Sequence, residues 1–167
     1  MSRVRTPIYT LELAKEDFKF SAGHFTLFGA DEAELLHGHN YQVGVEFVGP
    51  ALDDEGLLIS FVTTKKVIRA LCAELDTQLL IPANSSHLSF TRQDGHLEIR
   101  FGERRYVMPE ADVVMLPEVN TSIEVLARYL WHRLADTLDL SHLTALGVRV
   151  SETPGQTCWY RAPLDSP

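Results

Sequence analysis

Three histidines, His24, His37 and His39, are the side chains whose type and spacing could do chemistry together. His37 and His39 open an alternating run in which Tyr41, Val43, Val45 and Phe47 keep their parity. A period of two is the signature of a strand. On a strand, residues i and i+2 point to one face with α-carbons roughly 6.6 Å apart, and at that spacing two imidazoles converge on one ion. His24 shares the parity of Phe18 and Phe20 in Phe18-Lys19-Phe20-Ser21-Ala22-Gly23-His24-Phe25, so a neighbouring strand can deliver a third nitrogen. A lone strand histidine is ordinarily a hydrogen-bonded structural residue. The pair at i and i+2, the glycine between them and His24 upstream set this group apart. Three imidazoles with no fourth side chain is the donor set of a catalytic zinc site, which keeps a position for water or substrate.

The rest of the chain must position those rings. At 167 residues it is one domain of ordinary size, able to bury a core without staples. Apolar residues make up 45 % and charged residues 23 %, as in a soluble globular chain. A net charge of −8 argues against nucleic acid or an anionic membrane as partner. A phosphorylated substrate would then be held by local positive charge or by the metal. No stretch approaches the roughly 20 apolar residues of a membrane span, and residues 1–20 lack the apolar core of a signal peptide, so the expected location is the cytoplasm. Two cysteines make no disulfide framework. Cys72 falls on a helical apolar stripe and Cys158 in an apolar strand, and both read as core.

Residues 7–25 read as one long strand and 39–48 as a second. Asp53-Asp54-Glu55-Gly56 is a turn. Phe61 to Leu75 is a helix, with Val67, Ile68, Leu71, Cys72 and Leu75 at three- and four-residue spacing. Between Pro82 and Pro109 lie two short strands, about residues 88–90 and 97–101, joined by Gln93-Asp94-Gly95, a hairpin signal. A second helix spans Ser122 to about Leu138 with Leu126, Leu130, Leu134 and Leu138 buried, and Thr121 with Glu124 makes a capping box at its start. Strands at Ala145–Ser151 and Thr157–Arg161, separated by Thr153-Pro154-Gly155-Gln156, close the chain. The expectation is one α+β domain over residues 1–167, with a hairpin insertion at about 83–108.

Phe20-Ser21-Ala22-Gly23-His24, followed by Leu36-His37-Gly38-His39-Asn40-Tyr41, closely resembles the zinc motif of the 6-pyruvoyl-tetrahydropterin synthase family, which includes the bacterial 6-carboxytetrahydropterin synthases. The resemblance continues through Leu75-Asp76, Asn120-Thr121-Ser122-Ile123-Glu124 and Val150-Ser151-Glu152-Thr153. It implies the tunnelling fold, in which antiparallel sheets from several subunits close into a barrel with helices outside and two barrels stack as a homohexamer, a dimer of trimers. Such closure is one way to cover open sheet edges. It further implies a Zn²⁺ ion on His24, His37 and His39 and a pterin substrate anchored by the Glu152 carboxylate, with Thr121 and Ser122 lining the pocket.

Two departures from the family pattern bear on the reaction. The family's catalytic cysteine has no counterpart, because Asp31-Glu32-Ala33-Glu34-Leu35-Leu36 precedes the histidine pair. Glu34 stands three residues before His37, as in a variant group that carries glutamate there and is associated with cleavage of the dihydroneopterin side chain to 6-hydroxymethyl-7,8-dihydropterin. Leu75-Asp76-Thr77 stands where the family usually has Leu-Asp-His, so Asp76 remains as a catalytic candidate without its histidine. Thr77 cannot transfer protons near neutral pH. Forming a 6-pyruvoyl product needs several acid–base groups, whereas a retro-aldol cleavage needs one base, for which Glu34 serves. Proximity to Leu35 and Leu36 would raise the Glu34 pKa and an adjacent cation would lower it. The alternatives are a 6-pyruvoyl- or 6-carboxy-tetrahydropterin synthase, and a pterin- or metal-binding oligomer without catalysis. His87, His96, His132 and His142 read as solvated.

Overall fold

The structure is a computed structural model and describes residues 8–164. Its frame is a seven-stranded sheet built around one long strand, β3 (His37–Gly49). β1 (Tyr9–Leu13) and β2 (Lys19–His24) pair antiparallel with β3 in succession. β9 (Ala145–Thr153) runs antiparallel along the other edge of β3, and β10 (Gln156–Pro163) folds back on β9.

The single strand expected over 7–25 is thus two, and residue 7 lies outside the described residues. From Leu13 to Lys19 the chain advances six residues while β3 advances only from Val45 to Gln42. The surplus loops out around Glu16 and Asp17 in a turn closed by Phe18 N–H donating to the Lys15 carbonyl at 3.0 Å. Phe18 then returns inward and is fully buried.

Beyond β2 the sheet turns parallel. β4 (Gln78–Pro82) pairs parallel with β2, and β8 (Val113–Leu116) parallel with β4, so the sheet is mixed rather than antiparallel. Neither strand was expected. Leu79 to Pro82 is buried at every position, and a strand covered on both faces shows no alternation to read.

α1 (Phe61–Leu75) and α2 (Ile123–Thr137) cover one face of the sheet, both beginning and ending within a residue or two of expectation. Ile68, Leu71, Leu75, Leu126, Leu130 and Leu134 share a core with Phe20, Tyr41, Val43, Val45, Val148 and Val150. The helical period and the strand period meet there, and each fully buried apolar side chain contributes roughly 1.5–3 kcal/mol. Cys72 lies in this core, while Cys158 is only half-buried. The capping box at α2 does not form: Ser122 is the N-cap, with no side-chain cap bond, and Thr121 points inward.

The expected hairpin is a three-stranded antiparallel sheet, β5 (Ser89–Gln93), β6 (His96–Phe101) and β7 (Arg104–Pro109). Asp94 and Gly95 both hold positive φ, 51° and 74°, as a tight two-residue hairpin turn requires. Leu97, Ile99 and Phe101 of this sheet form a second core with Phe25, Leu27, Leu79 and Ile81. Among the described residues no helix is long and apolar enough to cross a membrane.

Candidate metal centre and its cleft

Pairing of β2 with β3 sets the three histidines. His24 stands directly opposite His37 and Ala22 opposite His39. The ring centroids lie 4.7 Å apart for His24–His37, 5.4 Å for His24–His39 and 4.8 Å for His37–His39. One nitrogen from each ring lies within 4.8 Å of the others, close enough to hold a metal ion. Gly38 makes the approach possible, since a Cβ there would meet the Ala22 carbonyl at 3.1 Å.

Second contacts orient two of the rings. His24 Nδ1 lies 3.1 Å from the Thr121 carbonyl and His37 Nδ1 lies 2.7 Å from the Leu35 carbonyl. A carbonyl accepts only, so each Nδ1 carries a proton, which leaves Nε2 as the nitrogen of each ring available to a metal. His24 Nε2 is buried with no hydrogen-bond partner among the described residues. Burial, then repulsion by His37, pushes the His24 pKa down to about 4 against the opposing bond to Thr121, so the ring is neutral at pH 7. His39 Nε2 lies 3.1 Å from Glu152 Oε1 but makes no aligned hydrogen bond. Three imidazoles converged in this way fit a divalent cation with a preference for nitrogen ligands.

Glu34 closes one side of this group. Its Oε2 accepts the Thr26 N–H at 2.9 Å, and its own N–H donates to the Thr26 carbonyl at 2.9 Å. Leu35 and Leu36 are 75 % and 39 % exposed, so they do not bury the carboxylate as expected. Partial burial raises the Glu34 pKa, but the bonds from Thr26 and attraction to His37 and His24 outweigh it and leave the group below its ordinary value. It is therefore ionised at neutral pH.

Glu152 stands on the other side, near the end of β9. It borders an open cleft of about 630 Å³ with Gly38, His39, Asn40, Gln42, Arg149 and Ser151 among its walls. Thr121 is fully buried; its hydroxyl donates to the Phe25 carbonyl at 3.1 Å and its carbonyl faces His24. Ser122 is half-buried beside it. Asn120 staples the segment, its Oδ1 accepting from Leu27 N–H and Thr121 N–H and its Nδ2 donating to the Leu27 carbonyl.

Asp76 is exposed and accepts the Ser21 N–H at 2.7 Å. Thr77 holds φ at +60°, a strained setting for a β-branched residue, and lines a second cleft with Ser21, Gly38 and His39. His87, His96 and His132 are exposed and stand apart from the trio, while His142 Nε2 lies 2.9 Å from the Leu58 carbonyl. The Thr121 carbonyl and the guanidinium of Arg104, which donates to the Glu34 carbonyl at 2.6 Å, are contacts that no sequence pattern announced. A main-chain acceptor leaves no mark on residue type.

The fold and site define a class: a mixed α+β sheet whose first two long strands bring three imidazoles together beside two carboxylates. Residues 12–163 match the family described as 6-pyruvoyl tetrahydropterin synthase, and the chain belongs to that family. Its members are lyases, and this chain is an enzyme of that kind with the tunnelling fold. A relative from Methanocaldococcus jannaschii is 32 % identical over 150 residues, 88 % of this chain and 91 % of its own. A Bacillus subtilis protein named 6-carboxy-5,6,7,8-tetrahydropterin synthase is 32 % identical over 154 residues, 92 % of this chain and 86 % of its own. Among solved structures, 6-pyruvoyltetrahydropterin synthase from Plasmodium vivax superposes with a TM-score of 0.89 at 27 % identity, covering 95 % of this chain and 99 % of that one. The same Plasmodium protein has been solved with a catalytic glutamate changed to alanine and to cysteine.

Proposed function

We propose that this chain is a zinc-dependent pterin lyase acting on 7,8-dihydroneopterin triphosphate or its dephosphorylated form, and that it cleaves the side chain to give 6-hydroxymethyl-7,8-dihydropterin. The carrying observation is Glu34: an ionised carboxylate, fixed by Thr26 beside three metal-competent imidazoles, in a chain that has no thiol there. The catalytic glutamate of the Plasmodium vivax protein supports the assignment.

A divalent ion held by His24, His37 and His39 would supply Lewis acidity toward the substrate's side-chain oxygens. Glu34 accepts the proton of the C2′ hydroxyl. The C1′–C2′ bond then breaks, its electron pair passing into the C6=N5 imine of the pterin ring while C2′ leaves as an aldehyde. Protonation at C1′ restores the imine and yields the hydroxymethyl product. Glu152 accepts two parallel hydrogen bonds from the pterin 2-amino group and N3–H, and Thr121 and Ser122 line the same pocket. Asp76, through the Ser21 N–H, fixes β2 beside the second cleft. The enzyme acts in the cytoplasm as a homohexamer in which neighbouring subunits cover the edges at β8 and β10.

A second reading, 6-carboxy-tetrahydropterin synthesis, is favoured by the name of the Bacillus subtilis relative. Product analysis after incubation with dihydroneopterin triphosphate separates the two. The 6-hydroxymethyl product, with Glu34→Gln keeping metal while turnover falls roughly 10²–10⁴-fold, supports cleavage by a positioned base. A 6-carboxy product replaces the first reading with the second, and no turnover of any neopterin substrate removes both.

A further inference from the structure

The loop that carries Glu34 is braced from a different sheet. Leu27 and Ala33 bridge its two arms, and Leu27, Phe25 and Ala33 pack on the second core formed by β6 and its neighbours. Tyr106 of β7 stacks on Phe25 with ring centroids 5.4 Å apart. Two residues earlier on the same strand, Arg104 reaches into the loop itself. Its Nη1 donates to the Glu34 carbonyl at 2.6 Å and its Nη2 to the Ala33 carbonyl at 3.2 Å, while the guanidinium lies 5.7 Å from the Phe101 ring centroid.

The chemistry of that contact is specific. A planar guanidinium presents two donors in a fixed fork, which suits two consecutive carbonyls, whereas an ammonium offers a single point of charge. Here the fork fixes the peptide units on either side of the Glu34 α-carbon. The side chain of that residue is tied to Thr26 alone among the described residues, so the main-chain clamp determines where its free oxygen points. Half-burial of Arg104 strengthens both bonds, since hydrogen bonds from a charged donor exceed neutral ones about twofold.

We propose that Arg104 is a positioning residue for Glu34 and that the β5–β7 sheet is the buttress that carries it. The proposal rests on Glu34 being the base. Its test compares Arg104→Ala, Arg104→Lys, Glu34→Gln and the Arg104→Ala/Glu34→Gln pair for bound metal, KM and kcat with dihydroneopterin. Displacement of a base by about an ångström lowers turnover on the order of 10²-fold. Arg104→Ala should therefore lose kcat by that order, with metal content and KM close to the parent. Arg104→Lys should recover part of the loss, and free guanidinium at a sub-denaturing concentration should restore turnover to Arg104→Ala. In the Glu34→Gln background the arginine substitution should cost nothing more. Parent-like kcat in Arg104→Ala beside an inactive Glu34→Gln overturns the role of Arg104 and leaves the base assignment standing. Losses that multiply in the pair, without rescue by guanidinium, make Arg104 a folding residue and overturn it as well. Full activity in Glu34→Gln overturns the base assignment and this proposal together. Should Arg104→Ala be insoluble, parent-like kcat in Arg104→Lys decides against the fork.

Discussion

Acid should destabilise the metal-free protein through one ring, His24. It is 1 % exposed, and burial followed by repulsion from His37 brings its pKa from the ordinary 6.5 down to about 4. Between those values the unfolded chain binds a proton that the folded chain refuses. Stability is therefore fully present above pH 6.5, falls as the pH drops toward 4, and levels off below it. The separation of the two values corresponds to about 3 kcal/mol, a large part of the 5–15 kcal/mol typical of a domain. His24→Gln removes the titrating group and keeps a donor for the Thr121 carbonyl. Urea unfolding of both proteins in chelator, followed by tryptophan fluorescence at fixed protein concentration, gives two stability curves against pH. Their difference cancels the carboxylates common to both. It should change by about 3 kcal/mol between pH 6.5 and 4, with the parent losing more. A flat difference would mean that His24 is solvated or charged in the folded chain, and the case for a neutral ligand nitrogen would fall with it.

Other substitutions test neighbouring features. Thr77→Gly removes the cost of a β-branched residue at φ +60° and should raise stability by up to about 1 kcal/mol in the same unfolding assay; a loss would show that the threonine contacts outweigh the strain. Glu152→Gln turns one acceptor toward the pterin donors into a donor, and pterin affinity measured by fluorescence titration should weaken by about 2–3 kcal/mol. Undiminished binding would place the anchor elsewhere.

How much of this could be read from the sequence depended on where water lies. β3, α1, α2 and β9 each have one covered and one wetter face, so their periods of two and 3.6 stand out in residue type. β4 is covered on both faces by helices and by the second core, and its short apolar run carries no period. The break between β1 and β2 is a matter of register, made by surplus residues that loop out opposite a continuous β3 rather than by any breaker residue. Thr121 shows the opposite failure. Its spacing to Glu124 fits a capping box, yet the buried Phe25 carbonyl is a competing acceptor, and tertiary contact displaced the local rule. Parity put the three histidines on one face, because pairing of two strands translates parity into a shared face, and the family resemblance made that face a metal site. The glutamate was not: only the family resemblance distinguished Glu34 from Glu32 two residues before it.

The two carboxylates beside the trio differ in a way that suits the different work proposed for them. Glu34 is held through Oε2 by Thr26 N–H and through its main chain by Arg104, so its position is settled before any substrate arrives. A base must be placed in advance, since proton transfer falls steeply with misalignment. Glu152 makes only the unaligned approach to His39 among the described residues, which leaves its acceptor sites free. It also stands where the sheet divides: β9 pairs with β3 as far as Gln42↔Ser151 and then departs, opening the cleft at His39 and Asn40. A carboxylate with free lone pairs at the mouth of a cleft is matched to a ligand that brings its own donors. The 2-amino group and N3–H of a pterin are such donors, and a ring seated on them would direct its C6 substituent along the cleft wall on which His39 stands. A carboxylate preorganised on one side of the imidazoles and one without main-chain ties on the other fit the proposed base and receptor, and exchanging the two roles would leave a substrate anchor already occupied by Thr26.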